Sequence, residues 1–160
     1  VTLLLEHTRP ARVPLIVNDR VDVALACSAD GVHLGQEDMP VNQARGILGS
    51  EAIIGATTPD STTLREAEAA RASYVAIGPA FASPTKPDKP VAGIEPIRRT
   101  VREATVPVCA IGGICAGNLP DLVGEGVALY AVISGISAAD DPEAAARELV
   151  RIASGKHRIA

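Results

Sequence analysis

Acidic side chains follow two neighbouring apolar runs of the sequence, where strands are expected to end. The run "PLIVN" (14–18) ends at Asn18 and continues into Asp19, and the run "GVHLG" (31–35) is followed, after two further polar residues, by Asp38. Adjacent parallel strands lie about 4.8 Å apart, so two carboxylates just beyond them could share one Mg²⁺ with waters and substrate phosphates. The alternative is that each aspartate caps the helix that follows its strand.

Glycines and hydroxyl groups at other strand ends indicate a site for an anion. The segments "AIGGI" (110–114) and "VISGI" (132–136) place Gly113 and Ser134 where helices are expected to begin. Backbone N–H groups at such helix starts favour phosphate. Tight turns also demand glycine, so a purely structural role stays open. Thr57 adds a hydroxyl at the end of a further run.

A long polar loop, "GPAFASPTKPDKPVAG" (78–93), interrupts the pattern of apolar runs. Loops of this length inside a compact domain are usually lids or binding loops. Lys86 stands between prolines close to Ser83 and Thr85, which puts hydroxyl donors beside a cation and suits a phosphate. The alternative is that Lys86 is an ordinary solvated lysine.

Short Val- and Ile-rich runs that are apolar on both faces predict buried parallel strands. Helix-like stretches separate them, and Asp60 or Ser61 can cap the clearest one. His33 lies inside a strand and is expected to be a hydrogen-bonded interior residue rather than a catalytic one. Six β-α units leave a doubly wound sheet or a (β/α)₈ barrel open, although a barrel needs eight. The predicted strands are 14–18, 31–35, 52–57, 74–78, 106–113 and 129–135, and the predicted helices are 20–29, 40–49, 60–72, 94–104, 116–126 and 140–155.

Length and composition favour one globular domain over residues 1–160. The chain is 47% hydrophobic and 21% charged, and it carries a net charge of −4. The basic residues are scattered without interleaved aromatics, which argues against a nucleic-acid partner. No apolar run approaches the roughly 18 residues of a membrane span, and residues 1–13 do not read as a signal peptide, so we expect a cytoplasmic protein without a membrane anchor. The three cysteines form no CxxC motif and are expected to be buried or free thiols.

The order and spacing of these motifs resemble the thiamine-phosphate synthase family. The resemblance runs from about Arg12 to about Ile152. It is carried by "LIVNDRVDVALACSADGVHLGQEDMP", "IIGATT", "YVAIGPAF", "SPTKPD", "VPVCAIGGI" and "AVISGI". It implies an α/β fold of the (β/α)₈ TIM barrel family, with about six units in this chain and the first two strands absent. It also implies a Mg²⁺-dependent transferase that joins hydroxymethylpyrimidine diphosphate to thiazole phosphate and releases pyrophosphate.

The resemblance also implies roles for individual residues. Asp19 and Asp38 would bind Mg²⁺, and Lys86 and Thr57 would act in catalysis. Small-molecule substrates would be the partners, and a homo-oligomer is possible. The residues implied in substrate binding are Asn18, Thr57, Ser83, Pro84, Thr85, Lys86, Gly113, Ile133 and Ser134.

Two departures from the family pattern keep other functions open. A Gln-Leu-Arg-Glu-Lys stretch, which the family uses for the diphosphate, does not occur in this sequence, and Thr57, Thr58 and Pro59 stand where a serine followed shortly by a histidine is usual. We therefore expect low synthase activity and unpaired first and last strands in the isolated chain. The alternatives are a thiazole tautomerase-like enzyme, which Pro59 disfavours, and a non-catalytic phosphate-binding homologue.

Overall fold

The computed structural model describes residues 1–82 and 90–155 of the chain. The chain forms two compact units, Val1–Ala76 and Ile77–Ala160. Each unit is built of short parallel strands that alternate with helices. This is the α/β pattern that the alternation of apolar runs predicts.

The first unit carries three strands and the beginning of a fourth, which pair in chain order. Each strand runs parallel to the next, from β1 through β2 and β3 to β4. Their buried side chains pack with helices into a core of Val, Ile, Leu and Ala. The elements are α1 (Thr2–Thr8), β1 (Ile16–Asn18), α2 (Val21–Ala26), β2 (Gly31–Leu34), α3 (Val41–Leu48), β3 (Ile53–Thr57), α4 (Ser61–Ala69) and β4 (Tyr74–Ile77), whose last residue belongs to the second unit.

The second unit is built around one parallel pair of strands, β5 and β6. The backbone after β4 runs beside β5, because the N–H of Ala80 donates to the carbonyl of Ile111 at 2.8 Å. The elements are α5 (Ile94–Glu103), β5 (Val108–Ile111), a 3₁₀ turn (Leu119–Asp121), β6 (Leu129–Ala131), α6 (Ser134–Ser137) and α7 (Pro142–Ala153).

All six predicted strands are present, with shorter bounds, and two predicted elements are corrected. The stretch 116–126 contains only the 3₁₀ turn, because Gly124 and Gly126 adopt φ of 94° and 80°, values outside any helix. The predicted strand 129–135 ends at Ala131, and α6 begins at Ser134.

The start of α4 is held by a capping box. The Asp60 side chain accepts from the N–H groups of Thr62 and Thr63, both at 2.9 Å, and the Thr63 hydroxyl accepts from the Asp60 N–H. Two of the helix's unpaired donors are thereby satisfied. Of the two predicted caps, Asp60 is the one that the structure has.

Asp60→Ala is expected to lower the free energy of unfolding by about 1 kcal/mol, because the first-turn N–H groups lose their acceptor. Asp60→Asn is the matched control, since its amide oxygen can still accept. Urea unfolding of both variants measures the effect. Equal loss of stability in the two would contradict a capping role.

The three cysteines are free thiols, as predicted. Cys109 in β5 is buried, and this burial raises the pKa of its thiol to about 11. A thiol with so high a pKa stays protonated at neutral pH and is a poor nucleophile. Over the described ranges, no helix has the length and apolar character needed to cross a membrane.

Candidate active site

Asp19 lies immediately beyond β1 in a left-handed backbone conformation, with φ of 64°. Its N–H donates to the carbonyl of His33 in β2 at 2.8 Å, so the chain stays attached to the neighbouring strand as it turns. Aspartate adopts this conformation more readily than most residues. The N-cap position of α2 belongs to Arg20, so the capping interpretation of Asp19 is wrong.

Asp38 closes the turn that follows β2. Its Oδ2 accepts a hydrogen bond of 2.6 Å from the N–H of Gly35, and a side chain on Gly35 would press against that carboxylate. Pro40 holds the N-cap position of α3, so Asp38 does not cap that helix either. Both predicted metal ligands therefore belong to turns at the carboxyl ends of their strands, where parallel α/β sheets bind ligands.

The charges of both aspartates act on the His33 side chain. Burial lowers the pKa of the His33 imidazole, and the negative charges of Asp19 and Asp38 oppose that effect. Coulomb interactions weaken with distance and are screened by solvent. Both carboxylates therefore act electrostatically on one partly buried ring.

His33 is hydrogen-bonded through both ring nitrogens. Nδ1 lies 3.0 Å from the Tyr74 hydroxyl, and Nε2 lies 3.1 Å from Oγ1 of Thr57. The His33 and Tyr74 rings stack with centroids 5.6 Å apart. The prediction that His33 is a hydrogen-bonded strand residue is confirmed.

Thr57 ends β3 beside a cleft of about 560 Å³. Its carbonyl accepts from the Gln36 side chain at 2.5 Å, and this bond ties the loop after β2 to the end of β3. Asp38 also lines the cleft. The neighbouring Thr58 is buried, and its hydroxyl has no hydrogen-bond partner among the described residues.

The glycines after β5 permit a turn that other residues would block. Gly112 and Gly113 adopt φ of 89° and 67°, and a Cβ on Gly113 would lie 2.4 Å from the carbonyl oxygen of Ala82. The Asn118 side chain then braces the loop, because it donates to the Gly113 carbonyl and accepts from the N–H of Cys115, both at 2.9 Å. The requirement for glycine is local and steric.

The loops after β5 and β6 contact each other. A Cβ on Gly135 would lie 2.9 Å from the carbonyl oxygen of Ile114, so this approach also requires glycine. Ser134 is the first residue of the single-turn helix α6, and Ile133 before it is exposed. Gly113 and Ser134, predicted together as an anion site, thus belong to adjoining loops within the second unit.

Four predicted site residues lie outside the described part of the chain: Ser83, Pro84, Thr85 and Lys86. Tyr74, which contacts His33 beside the candidate site, is a residue that sequence reasoning missed. It begins a strand rather than ending one, and the predicted site residues lie at or beyond strand ends. The signal that could have found it is Gly55, an unusual residue inside a predicted buried strand.

The two carboxylates of the first unit, those of Asp19 and Asp38, suit a hard cation that binds with modest affinity. Within residues 1–82 and 90–155, no group of three or more His, Cys, Asp or Glu side chains could hold a metal ion. Two carboxylates completed by waters and substrate oxygens are, however, a common Mg²⁺ arrangement. Asp19 and Asp38 fit that chemistry, with one Asp38 oxygen already engaged by Gly35.

Comparison with known proteins shows that this chain is similar to members of one enzyme family. A family model described as thiamine monophosphate synthase matches residues 1–136. The thiamine-phosphate synthase of Roseiflexus sp. (strain RS-1) is 48% identical over 147 residues, which cover 91% of this chain and 62% of the relative. That of Roseiflexus castenholzii (strain DSM 13941 / HLO8) is 45% identical over 152 residues, covering 94% and 67%. The chain thus spans about two thirds of the length of these relatives.

Solved structures show the same fold. Thiamine phosphate pyrophosphorylase from Pyrococcus furiosus matches with a TM-score of 0.88 and 40% identity, covering 96% of this chain and 74% of that one. The 3-hexulose-6-phosphate synthase of Salmonella typhimurium matches with a TM-score of 0.76 at 16% identity, a likeness of fold alone. The predicted fold class, α/β of the TIM barrel family, is confirmed.

Proposed function

Because the chain belongs to the thiamine monophosphate synthase family, we propose that it condenses hydroxymethylpyrimidine diphosphate with thiazole phosphate to give thiamine phosphate and pyrophosphate. The observation that carries the proposal is the 48% identity to a thiamine-phosphate synthase over 91% of this chain. The C–O bond to the diphosphate breaks, and pyrophosphate leaves with the bonding electrons. The thiazole nitrogen then forms the new C–N bond to the pyrimidine methylene.

The first unit would bind the diphosphate substrate. Asp19 and Asp38 would hold Mg²⁺, which when bound would neutralise charge on the departing pyrophosphate. Asn18, exposed at the end of β1, would contact the same substrate. For Lys86, which lies outside the described residues, the role that the resemblance implies stays a prediction. Stabilisation of the leaving group is the main task, and a fixed cation in a preorganised site performs it without a general base.

Thr57 would bind the pyrimidine ring. Its hydroxyl is held by His33, so its orientation is fixed before any ligand arrives. A preorganised donor costs no reorganisation when the substrate binds.

The second unit would bind the thiazole phosphate. Gly113 lies in the loop after β5, and Ile133 and Ser134 would supply the adjoining loop. Backbone N–H groups in such loops can bind a phosphate. Ser83, Pro84 and Thr85 would complete this subsite.

A coupled assay tests the proposal. The protein, both substrates and Mg²⁺ should yield thiamine phosphate and pyrophosphate in equal amounts. Gly113→Ala should lose thiazole phosphate binding by calorimetric titration, because the new Cβ meets the Ala82 carbonyl at a strained φ. Gly117→Ala is the matched control, since its Cβ would have only an ordinary contact with Cys115.

The outcomes separate the alternatives. Thiazole phosphate binding without product by a folded protein would point to a phosphate-binding homologue. Isomerisation of a thiazole without pyrophosphate release would point to a tautomerase. Equal binding by the Gly113→Ala and Gly117→Ala variants would remove the second-unit loops from the site.

A further inference from the structure

Three residues stand side by side across three strands of the first unit. In the strand register His33 of β2 is opposite Gly55 of β3, and Gly55 is opposite Tyr74 of β4. Directly paired residues in a sheet project from the same face. The middle position alone lacks a side chain, so the two outer side chains can meet above it.

The absence of a side chain at Gly55 is what allows the contact. A Cβ there would lie 2.1 Å from Cζ and 2.4 Å from the hydroxyl oxygen of Tyr74, well inside contact distance. The Tyr74 ring therefore covers Gly55, and its hydroxyl reaches Nδ1 of His33 at 3.0 Å. Thr57, two residues beyond Gly55 on the same strand, contacts the other ring nitrogen.

The chemistry of the partners sets the direction of the two hydrogen bonds. A neutral imidazole has one donor and one acceptor nitrogen. A phenol is the more acidic donor and a ring nitrogen the more basic acceptor, so the favoured arrangement has Tyr74 donating to Nδ1. The proton of His33 then lies on Nε2 and is donated to Oγ1 of Thr57. The hydroxyl hydrogen of Thr57 is thereby turned away from His33.

We propose that Tyr74 is a positioning residue: through the gap at Gly55 it fixes His33 as the Nε2–H tautomer, which aims the Thr57 hydroxyl as a donor at an acceptor atom of the bound ligand. The proposal rests on the proposed function for the identity of that ligand, the pyrimidine substrate. Each of the two hydrogen bonds fixes the orientation of the next group.

The tautomer is measured directly, without substrate. At a pH where the NMR signals show His33 to be uncharged, ¹⁵N NMR of the ring distinguishes its protonated from its unprotonated nitrogen. We expect the proton on Nε2 in the parent protein and a mixture of tautomers in Tyr74→Phe. Tyr130→Phe is the matched control, because among the described residues the Tyr130 hydroxyl makes a single long contact of 3.5 Å, with the Leu122 carbonyl. A parent protein with the proton on Nδ1 would overturn the proposal, whatever reaction the protein catalyses.

Kinetics test whether Tyr74 acts through Thr57. Tyr74→Phe should lower kcat/KM about three- to tenfold, the usual value of one well-placed hydrogen bond. In a Thr57→Ala background the same change should have no further effect, and Thr57→Ser should restore the dependence on Tyr74. Additive losses in the double variant would mean that Tyr74 only stabilises the fold. If no variant forms product, the proposed function fails while the NMR result still decides the tautomer.

Discussion

Asp38→Asn is expected to lower the rate of thiamine-phosphate formation about 100-fold or more, with a raised requirement for Mg²⁺. The amide removes one negative charge and replaces a strong Mg²⁺ ligand with a weak one, and even indirect partners of metal ligands contribute about 10- to 100-fold to affinity. The fold should survive, because the asparagine oxygen can still accept from the Gly35 N–H that Asp38 engages now. Rates measured across a Mg²⁺ titration give the result.

Asp30→Asn is the matched control for this change. Asp30 also accepts one backbone hydrogen bond, from the N–H of Leu15 at 2.7 Å, but it precedes β2 instead of following it. The two substitutions have the same chemistry at opposite ends of one strand. We expect Asp30→Asn to keep activity within about twofold, as for an exposed substitution remote from the site. Similar losses in both variants would show that Asp38 matters to the turn and not to a metal.

His33 provides a second measurement, which needs no substrate. Because the negative charges of Asp19 and Asp38 raise its pKa against the effect of burial, removal of either charge should lower that pKa. Bound Mg²⁺ should lower it too, since the cation offsets both carboxylates. NMR titration of the His33 ring with and without Mg²⁺ therefore reports on the site directly. An unchanged pKa at saturating Mg²⁺ would place the metal elsewhere.

The strand-end residues could be predicted from sequence because their positions follow from chain order alone. A parallel strand must end at the ligand-binding edge, so Asp19, Asp38 and Thr57 were identified without knowledge of any contact. The N-cap residues of the helices were harder to predict. Arg20 and Pro40 occupy the N-cap positions although aspartate is the better capping residue. The left-handed turn at Asp19 and the Gly35 bond at Asp38 engage these residues differently.

The Tyr74–His33–Thr57 arrangement could not be predicted from order alone, because it depends on register. Which residue of β4 lies opposite Gly55 is decided by backbone pairing between distant segments, and a slip of one residue would turn every side chain to the other face. The predicted helix over 116–126 is wrong for a reason that is local to that segment. Its place in the alternation of strands and helices predicted a helix, but Gly124 and Gly126 have positive φ, which no helix accommodates.

Gly31→Ala should disturb the strand register and lower the free energy of unfolding by about 3 kcal/mol or more. A Cβ on Gly31 would lie 1.8 Å from the carbonyl oxygen of Ile53, its partner in β3. That oxygen belongs to the backbone and cannot rotate away, so β2 and β3 would have to separate or slip. Either movement would displace His33 from Gly55, and activity should fall together with stability.

Gly46→Ala provides the contrast within the same unit. Gly46 is exposed inside α3, and a Cβ there would meet no described atom within 4 Å apart from its chain neighbours and the backbone of its own helix. Alanine in a helix interior is favoured over glycine by about 0.5–1 kcal/mol, so this variant should be slightly more stable than the parent. Urea unfolding of the two variants, with comparison of midpoints and slopes, measures both effects. If Gly31→Ala unfolds at the same midpoint as Gly46→Ala, the close approach of β2 and β3 does not hold the register, and the alignment of His33 with Gly55 and Tyr74 must be set by the side chains themselves.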